Sequence, residues 1–397
     1  MKRLSCLILA LVLMLSVLGC SNAPAPASTA TVPETTCFTE PAADKPTVKW
    51  YDDTICITAQ QADRIVNSQF DTPKNVILLI GDGMGPNDIT LCSQFGTDNF
   101  DFGLVLERIP HHGLCTTRSA SHKVTDSAAS ATALATGVKT ANGYVGMLKD
   151  GTALQNLSEI AREQGKKVGI VTDDEITGAT PSAFLTHNKS RKNYDAIYAD
   201  ALEFAPDVYI GKQDAARYQQ ATEKGFFAAP NFQKIGDILD ASDDLEKPFV
   251  AFNSGYASHA SNELAQCTQA ALQLLDNEKG FFLMVESAGT DKFGHKNSIT
   301  GKLASVTTLD RTLAAILMFM EENPDTMLVV TSDHETGGVQ LPKAGKGLSK
   351  RLFTSDDHTG VPVRVFALGQ GSEYFSGKTV DNTDIAKFLI AALQQNG

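Results

Sequence analysis

Six short stretches of the chain are apolar, at residues 76–80, 168–171, 249–252, 281–285, 327–330 and 363–368, with Arg364 in the last as the one polar interruption. Continuous runs of this length, rich in Val, Ile, Leu and Phe, suit strands buried on both faces. Between several of them apolar positions recur at helical spacing, at 154–164, 264–275 and 303–320, and a last helical pattern lies at 385–393. Strands alternating with helices predict an α/β fold with a mainly parallel central sheet and helices on both faces. No internal repeat or second domain boundary breaks the pattern. Residues 337–357, with their glycines and lysines, read as an inserted loop, and 37–397 is expected to form a single catalytic domain.

Ahead of this pattern, Lys2 and Arg3 precede an apolar stretch at 7–18 that is too short to span a bilayer. It predicts a signal peptide over residues 1–19 and an exported protein. Val17-Leu18-Gly19-Cys20 resembles the lipobox of bacterial lipoproteins, in which the signal is cut before the cysteine and lipid joins Cys20; cleavage near the small residues that follow is the plainer alternative. Residues 20–36, rich in Ala, Pro, Ser and Thr, are expected to be a disordered tether. The expected location is periplasmic or at the cell surface, held to a bacterial membrane through that lipid.

The 397 residues are 42% hydrophobic and 20% charged, enough to bury a substantial core. Acidic residues outnumber basic ones, 46 against 34, for a formal charge of −12. With no basic run, nucleic acid is excluded as a partner. The same charge would repel an anionic substrate, so a site for one must build its own positive potential from metal ions and an arginine. Of seven cysteines, Cys6 lies in the signal and Cys20 at the lipid site. Export permits disulfides, with Cys37 and Cys56 or Cys92 and Cys115 as candidate pairs, whereas Cys267 sits in a helical pattern and is expected to be a buried free thiol.

Several metal-ligating side chains follow the apolar runs: Asp82 after 76–80, Glu286 after 281–285, and Asp333 with His334 after 327–330. Open α/β sheets bind ligands at these carboxyl ends. One carboxylate there would be an ordinary turn residue; three strand ends doing the same point to a site. Asp82 lies between Gly81 and Gly83, which permit close approach of an ion. Asp291 and His295, four residues apart, share one face of a helical turn and so suit one metal. His358, within Asp357-His358-Thr359-Gly360, offers a third histidine. His111, His112, His122, His187 and His259 lack such company and read as structural or surface residues. Ser127 opens the small-residue segment Asp126-Ser127-Ala128-Ala129-Ser130-Ala131, at a helix start that favours anions. No Gly-x-Ser-x-Gly elbow surrounds it, so a metal would have to activate this serine.

Together these residues resemble the alkaline phosphatase family. Leu79-Ile80-Gly81-Asp82-Gly83-Met84-Gly85, Thr125-Asp126-Ser127-Ala128, Ala135-Thr136-Gly137-Val138-Lys139-Thr140, Ala179-Thr180-Pro181, Val285-Glu286, Thr331-Ser332-Asp333-His334-Glu335 and His358-Thr359-Gly360 are similar to family blocks and stand in the family's order, from about Lys74 to the C-terminus. The resemblance implies hydrolysis of phosphate monoesters to an alcohol and inorganic phosphate through a phosphoserine at Ser127. It implies one Zn2+ held by Asp291, His295 and His358, a second by Asp82, Asp333 and His334, and one Mg2+ held by Asp82, Thr180 and Glu286. Arg191 would clamp the phosphoryl oxygens with Asp126 orienting it, Lys292 would help bind substrate, and a homodimer is typical.

The chain departs from the family pattern at Gly178, where many relatives carry Asp or His. That side chain often pairs with the lysine matched by Lys292, so its loss would leave Lys292 to reach phosphate through water and the magnesium site weaker or differently filled. Two rivals stand beside the phosphatase reading: a phosphodiesterase or phosphonate-ester hydrolase of the same superfamily, and a non-catalytic lipoprotein that captures phosphate or metal. A sulfatase is excluded, because Cys115-Thr116-Thr117-Arg118 lacks the proline and spacing of the required activation motif.

Overall fold

The computed structural model describes residues 35–39, 54–212, 215–235 and 247–395. The expected signal peptide, Cys20 and the tether ahead of Thr35 lie outside the described residues. In chain order the strands are β1 Thr35–Thr39, β2 Thr54–Thr58, β3 Asn75–Gly81, β4 His111–Thr116, β5 Lys167–Glu175, β6 Val208–Lys212, β7 Phe227–Ala229, β8 Phe249–Asn253, β9 Phe281–Ser287, β10 Thr326–Thr331, β11 Glu335–Thr336, β12 His358–Thr359, β13 Val363–Leu368 and β14 Thr379–Asp381. Ten of them form one sheet in the order β14-β4-β13-β10-β3-β9-β5-β6-β8-β7. All six apolar runs are strands of that sheet, and the expected helices are present at Leu157–Glu163, Glu263–Leu275, Ile299–Glu322 and Asn382–Gln394.

Burial on both faces explains the lack of alternation in the strand sequences. In β3, Ile77 and Leu79 join a core packed under the helices Glu263–Leu275 and Ile299–Glu322. Val76, Leu78 and Ile80 join a second core under the helices Ser127–Thr136, Leu157–Glu163, Tyr194–Phe204 and Asn382–Gln394. The Ile299–Glu322 helix has the length and apolarity to cross a membrane, but it is a core helix, with 83% of its most apolar stretch buried.

Neighbours from β10 through β7 are parallel, and β13 runs against both β10 and β4. The reversal follows from the connection: no helix crosses over between β10 and β13, and parallel strands need such a crossover. Instead the chain passes through β11, a loop containing one short 3-10 turn, and β12.

The two candidate disulfides have different outcomes. Cys56 is disulfide-bonded, and the ribbon register sets Cys37 opposite it. Cys92 and Cys115 are free and buried. They cannot meet, because Cys92 packs in the core on one face of the sheet and Cys115 in the core on the other. Cys267 is a buried free thiol as expected.

Beneath the carboxyl ends of β3 and β10 lies a fully buried ion pair, Lys302 Nζ to Asp88 Oδ2 at 2.9 Å. Lys302 also donates to the carbonyls of Thr336 and Gly83, while Asp88 Oδ2 accepts from the Gly85 N–H at 2.8 Å. Burial pushes the Asp88 carboxyl up to about 6 even with Lys302 pulling the other way. The pair therefore ties the loop after β3 to the segment after β10. Lys302→Ala leaves Asp88 buried without its cation, and urea unfolding should show a stability loss of about 3 kcal/mol or more; a loss below about 1 kcal/mol would mean that the pair does not hold these loops.

Candidate functional site

Four adjacent strands, β10, β3, β9 and β5, deliver side chains to one edge of the sheet. Asp82 leaves β3 directly, Glu286 is the penultimate residue of β9, and Asp333 and His334 follow β10. β9 runs into the short helix Gly289–Gly294, which carries Asp291 and is followed by His295, and β12 begins with His358. Glycine is required at position 83, where φ is +69° and a Cβ would lie 2.6 Å from Asp291 Cα. The Asp82 turn and the Asp291 helix are thereby brought into direct backbone contact.

The histidines aim their Nε2 atoms at common points because their Nδ1 atoms are engaged elsewhere. His295 Nδ1 lies 2.7 Å from the Asp356 carbonyl, and His358 Nδ1 lies 3.0 Å from the Thr125 carbonyl. A carbonyl can only accept, so each Nδ1 carries a proton in either charge state and Nε2 is the nitrogen left to offer a lone pair once its own proton is lost, the arrangement common to metal-ligating histidines. Asp291 Oδ1 is 3.2 Å from His295 Nε2 and 3.4 Å from His358 Nε2, and these two nitrogens are 3.2 Å apart. A second cluster holds His334 Nε2 at 3.1 Å from Asp333 Oδ2 and 3.6 Å from Asp82 Oδ1. Asp291 and His358 also lie close to His334, whose ring stacks on His358 at 3.6 Å between centroids. Asp357, which the sequence reading did not select, joins His295 and His358; its place just before a histidine repeats the Asp333-His334 pattern. None of the five histidines read as structural enters a ligand cluster among the described residues.

Ser127 is the first residue of the helix Ser127–Thr136, and the N-cap is Asp126. All ten residues of that helix are buried, and its Ala, Ser and Thr side chains allow close packing. Ser130 Oγ, for example, donates to the Asp333 carbonyl at 2.6 Å. Ser127 Oγ lies 3.3 Å from His334 Nε2. This is not a serine-histidine-carboxylate triad, since Asp82 and Asp333 approach the same nitrogen as the serine while Nδ1 faces the Thr336 hydroxyl. Asp126 Oδ1 accepts from the Ala129 N–H, and its Oδ2 accepts from the Gly143 N–H at 3.0 Å and from Arg191 Nη1 at 3.3 Å.

The buried carboxylates oppose one another. Burial raises the Asp82 carboxyl well above its usual range, and the charges of Asp333, Asp291 and Glu286 raise it further. Burial and the Asp174 charge push Glu286 up to about 8, against a hydrogen bond from Thr172. Burial alone would also raise Asp291, but hydrogen bonds from His295 and His358 outweigh it and hold this carboxyl well below its usual range. The Asp291 contact is in turn the main reason His295 rises to about 9. Asp82 Oδ1, Asp333 Oδ2 and Thr180 Oγ1 are buried with no hydrogen-bond partner. Orphaned oxygens among converging carboxylates and histidine lone pairs are what a bound cation would satisfy. The residues present therefore fit metal ions.

Lys292 is not left without a partner, contrary to the expectation drawn from Gly178. Its Nζ lies 3.0 Å from Asp174 Oδ2 and 4.0 Å from Asp291 Oδ2. Asp174, like its buried neighbour Asp173, escaped the sequence reading because two acidic residues at a strand end look like a solvated turn.

The alkaline phosphatase family model matches residues 73–216 and 250–348. Alkaline phosphatase H of Pseudomonas aeruginosa is 30% identical over 405 aligned residues, covering 81% of this chain and 85% of that protein. Alkaline phosphatase of Escherichia coli is 30% identical, with 85% and 90% covered. The structure of alkaline phosphatase from the Antarctic bacterium TAB5 superposes with a TM-score of 0.71 at 28% identity, covering 83% of this chain and all of its own. A mutant of that enzyme, with a TM-score of 0.70 at 27% identity and the same 83% and 100% covered, has Mg bound in its M3 site. The matched segments carry Asp82, Ser127, Arg191, Glu286, Asp291 and His334, and the chain belongs to the alkaline phosphatase family.

Proposed function

We propose that this protein hydrolyses phosphate monoesters to an alcohol and inorganic phosphate through a phosphoserine on Ser127, at a site holding two zinc ions and one magnesium. The observation that carries the reading is the shared fulcrum at Asp126. One carboxylate caps the helix that presents Ser127 and holds the guanidinium of Arg191. The nucleophile and a planar fork suited to two phosphoryl oxygens are therefore fixed relative to each other.

Asp291, His295 and His358 would hold one zinc, and Asp82, Asp333 and His334 the other. Asp82, Thr180 and Glu286, an all-oxygen set, suit magnesium. When bound, the ions supply Lewis acidity that makes hydroxyl groups better nucleophiles and offsets the charge of the phosphoryl group. Ser127 Oγ forms the bond to phosphorus as the ester oxygen departs, and water then cleaves the phosphoserine to release phosphate. Arg191 holds the equatorial oxygens through both displacements, and the helix dipole at Ser127 favours the anion. Ser127, Arg191 and the oxygen-only third site favour monoesters over the diesters or phosphonate esters of the rival reading. Placement outside the cytoplasm, with lipid on Cys20, belongs to the same proposal and rests on the N-terminal pattern alone.

Two measurements test this reading. With zinc and magnesium supplied, the protein should prefer a chromogenic phosphomonoester to the matching diester, and Ser127→Ala should lower monoester turnover by about a thousandfold or more; diester preference would favour the rival, and stoichiometric phosphate binding without turnover would favour a capture protein. The second test is proton release. At pH 7 His295, raised to about 9, and Glu286, raised to about 8, hold protons in the metal-free protein, and metal ligation must expel them. Adding zinc and magnesium to metal-free protein at pH 7 should therefore acidify a weakly buffered solution, and metal affinity should rise as pH increases from 6 to 9; unchanged pH on loading would count against these ligands.

A further inference from the structure

The space that Gly178 leaves beside the third cation site is occupied from another part of the chain. A Cβ at Gly178 would lie 3.4 Å from Asp174 Oδ2 and 2.9 Å from the Glu175 carbonyl oxygen. Asp174 reaches this position through an irregularity in β5. Pairing with β6 passes from Val171 opposite Ile210 to Glu175 opposite Lys212, so β5 takes four steps where its neighbour takes two. Such bulges re-aim side chains near sites. Here the Asp174 N–H donates to Thr172 Oγ1 at 2.9 Å, and the Thr172 hydroxyl donates to Glu286 Oε2. The bulge is thus tied to a carboxylate of the third site. Asp173, one residue earlier, accepts from the Ala288 N–H at 2.6 Å and fastens it to the end of β9.

Lys292 is a long side chain with a compact charge and several rotatable bonds, so its position depends on what anchors it. Two carboxylates compete for it. Asp174 holds it at 3.0 Å, whereas Asp291, assigned above to zinc, lies 4.0 Å away. Asp174, Lys292 and Arg191 line the same cavity of about 410 Å3, with Gly178 at its wall.

We propose that Asp174 is a positioning residue that takes the place of the side chain missing at Gly178: presented by the β5 bulge, it draws Lys292 away from Asp291 and holds its ammonium beside Arg191 to bind the phosphoryl group. This rests on the phosphatase reading for what fills the cavity. Its distinctive consequence is coupling, because loss of the Asp174 charge acts on phosphate only through Lys292.

The test is a double-mutant cycle on protein loaded with zinc and magnesium, with inorganic phosphate affinity measured by calorimetry for wild type, Asp174→Asn, Lys292→Ala and the double variant. Asn keeps the shape of Asp174, and unfolding temperature and zinc content confirm that each variant is folded and loaded. Asp174→Asn should weaken phosphate binding by about tenfold in the wild-type background and by less than about twofold when Lys292 is already Ala. Unchanged affinity in Asp174→Asn, or losses that multiply independently in the double variant, would overturn the role of Asp174 while leaving the phosphatase reading intact. A wild type that neither binds phosphate nor hydrolyses monoesters would overturn that reading and the proposal with it.

Discussion

Burying several carboxylates in one small volume is the constraint on which the rest of this structure depends. Asp82, Asp333, Asp291, Glu286 and Asp173 are all buried at the carboxyl edge of one sheet. Each would be expensive to ionise there without a compensating cation. Lys302 serves Asp88, and Lys292 reaches the group from the Asp174 side. Histidine nitrogens meet part of the remaining charge, and Asp82 Oδ1 and Asp333 Oδ2 are left with no hydrogen-bond partner. An arrangement so unfavourable to folding is consistent with divalent cations as part of the functional protein.

The fold concentrates these groups without using loops as their main support. Adjacent parallel strands end at the same level, and a tight glycine turn, a short helix and a two-residue strand carry the ligands from there. Backbone carbonyls fix the orientation of His295 and His358, and a small-residue helix brings Ser127 against the same edge. Asp126 then makes the helix start and Arg191 one rigid unit. Positioning of this kind matters most in phosphoryl transfer, where catalysis is largely placement and charge.

Much of this was legible in the sequence because burial on both faces leaves an uninterrupted apolar signature, and because ligands directly after such runs are placed by the sheet. β4, as long as β10, has no such signature because it reads His-His-Gly-Leu-Cys-Thr, and β7 and β14 are only 3 residues each. The direction of β13 was hidden because it depends on what the chain does between 331 and 363, not on the strand's own residues. Lys302 looks in sequence like a charge on the exposed face of a helix, yet it is fully buried against Asp88. Asp174 illustrates the limit most clearly. Gly178 announces a missing side chain, but only the two-residue irregularity in β5 reveals that a carboxylate from another position fills the gap.

The central claim is that this edge of the sheet transfers phosphoryl groups through one serine. It is tested most directly by brief incubation of metal-loaded protein with a phosphomonoester, followed by acid quenching and peptide mass spectrometry. The account predicts a single phosphate on the peptide containing Ser127, at that residue. Turnover without label at Ser127, or with label elsewhere, would contradict it.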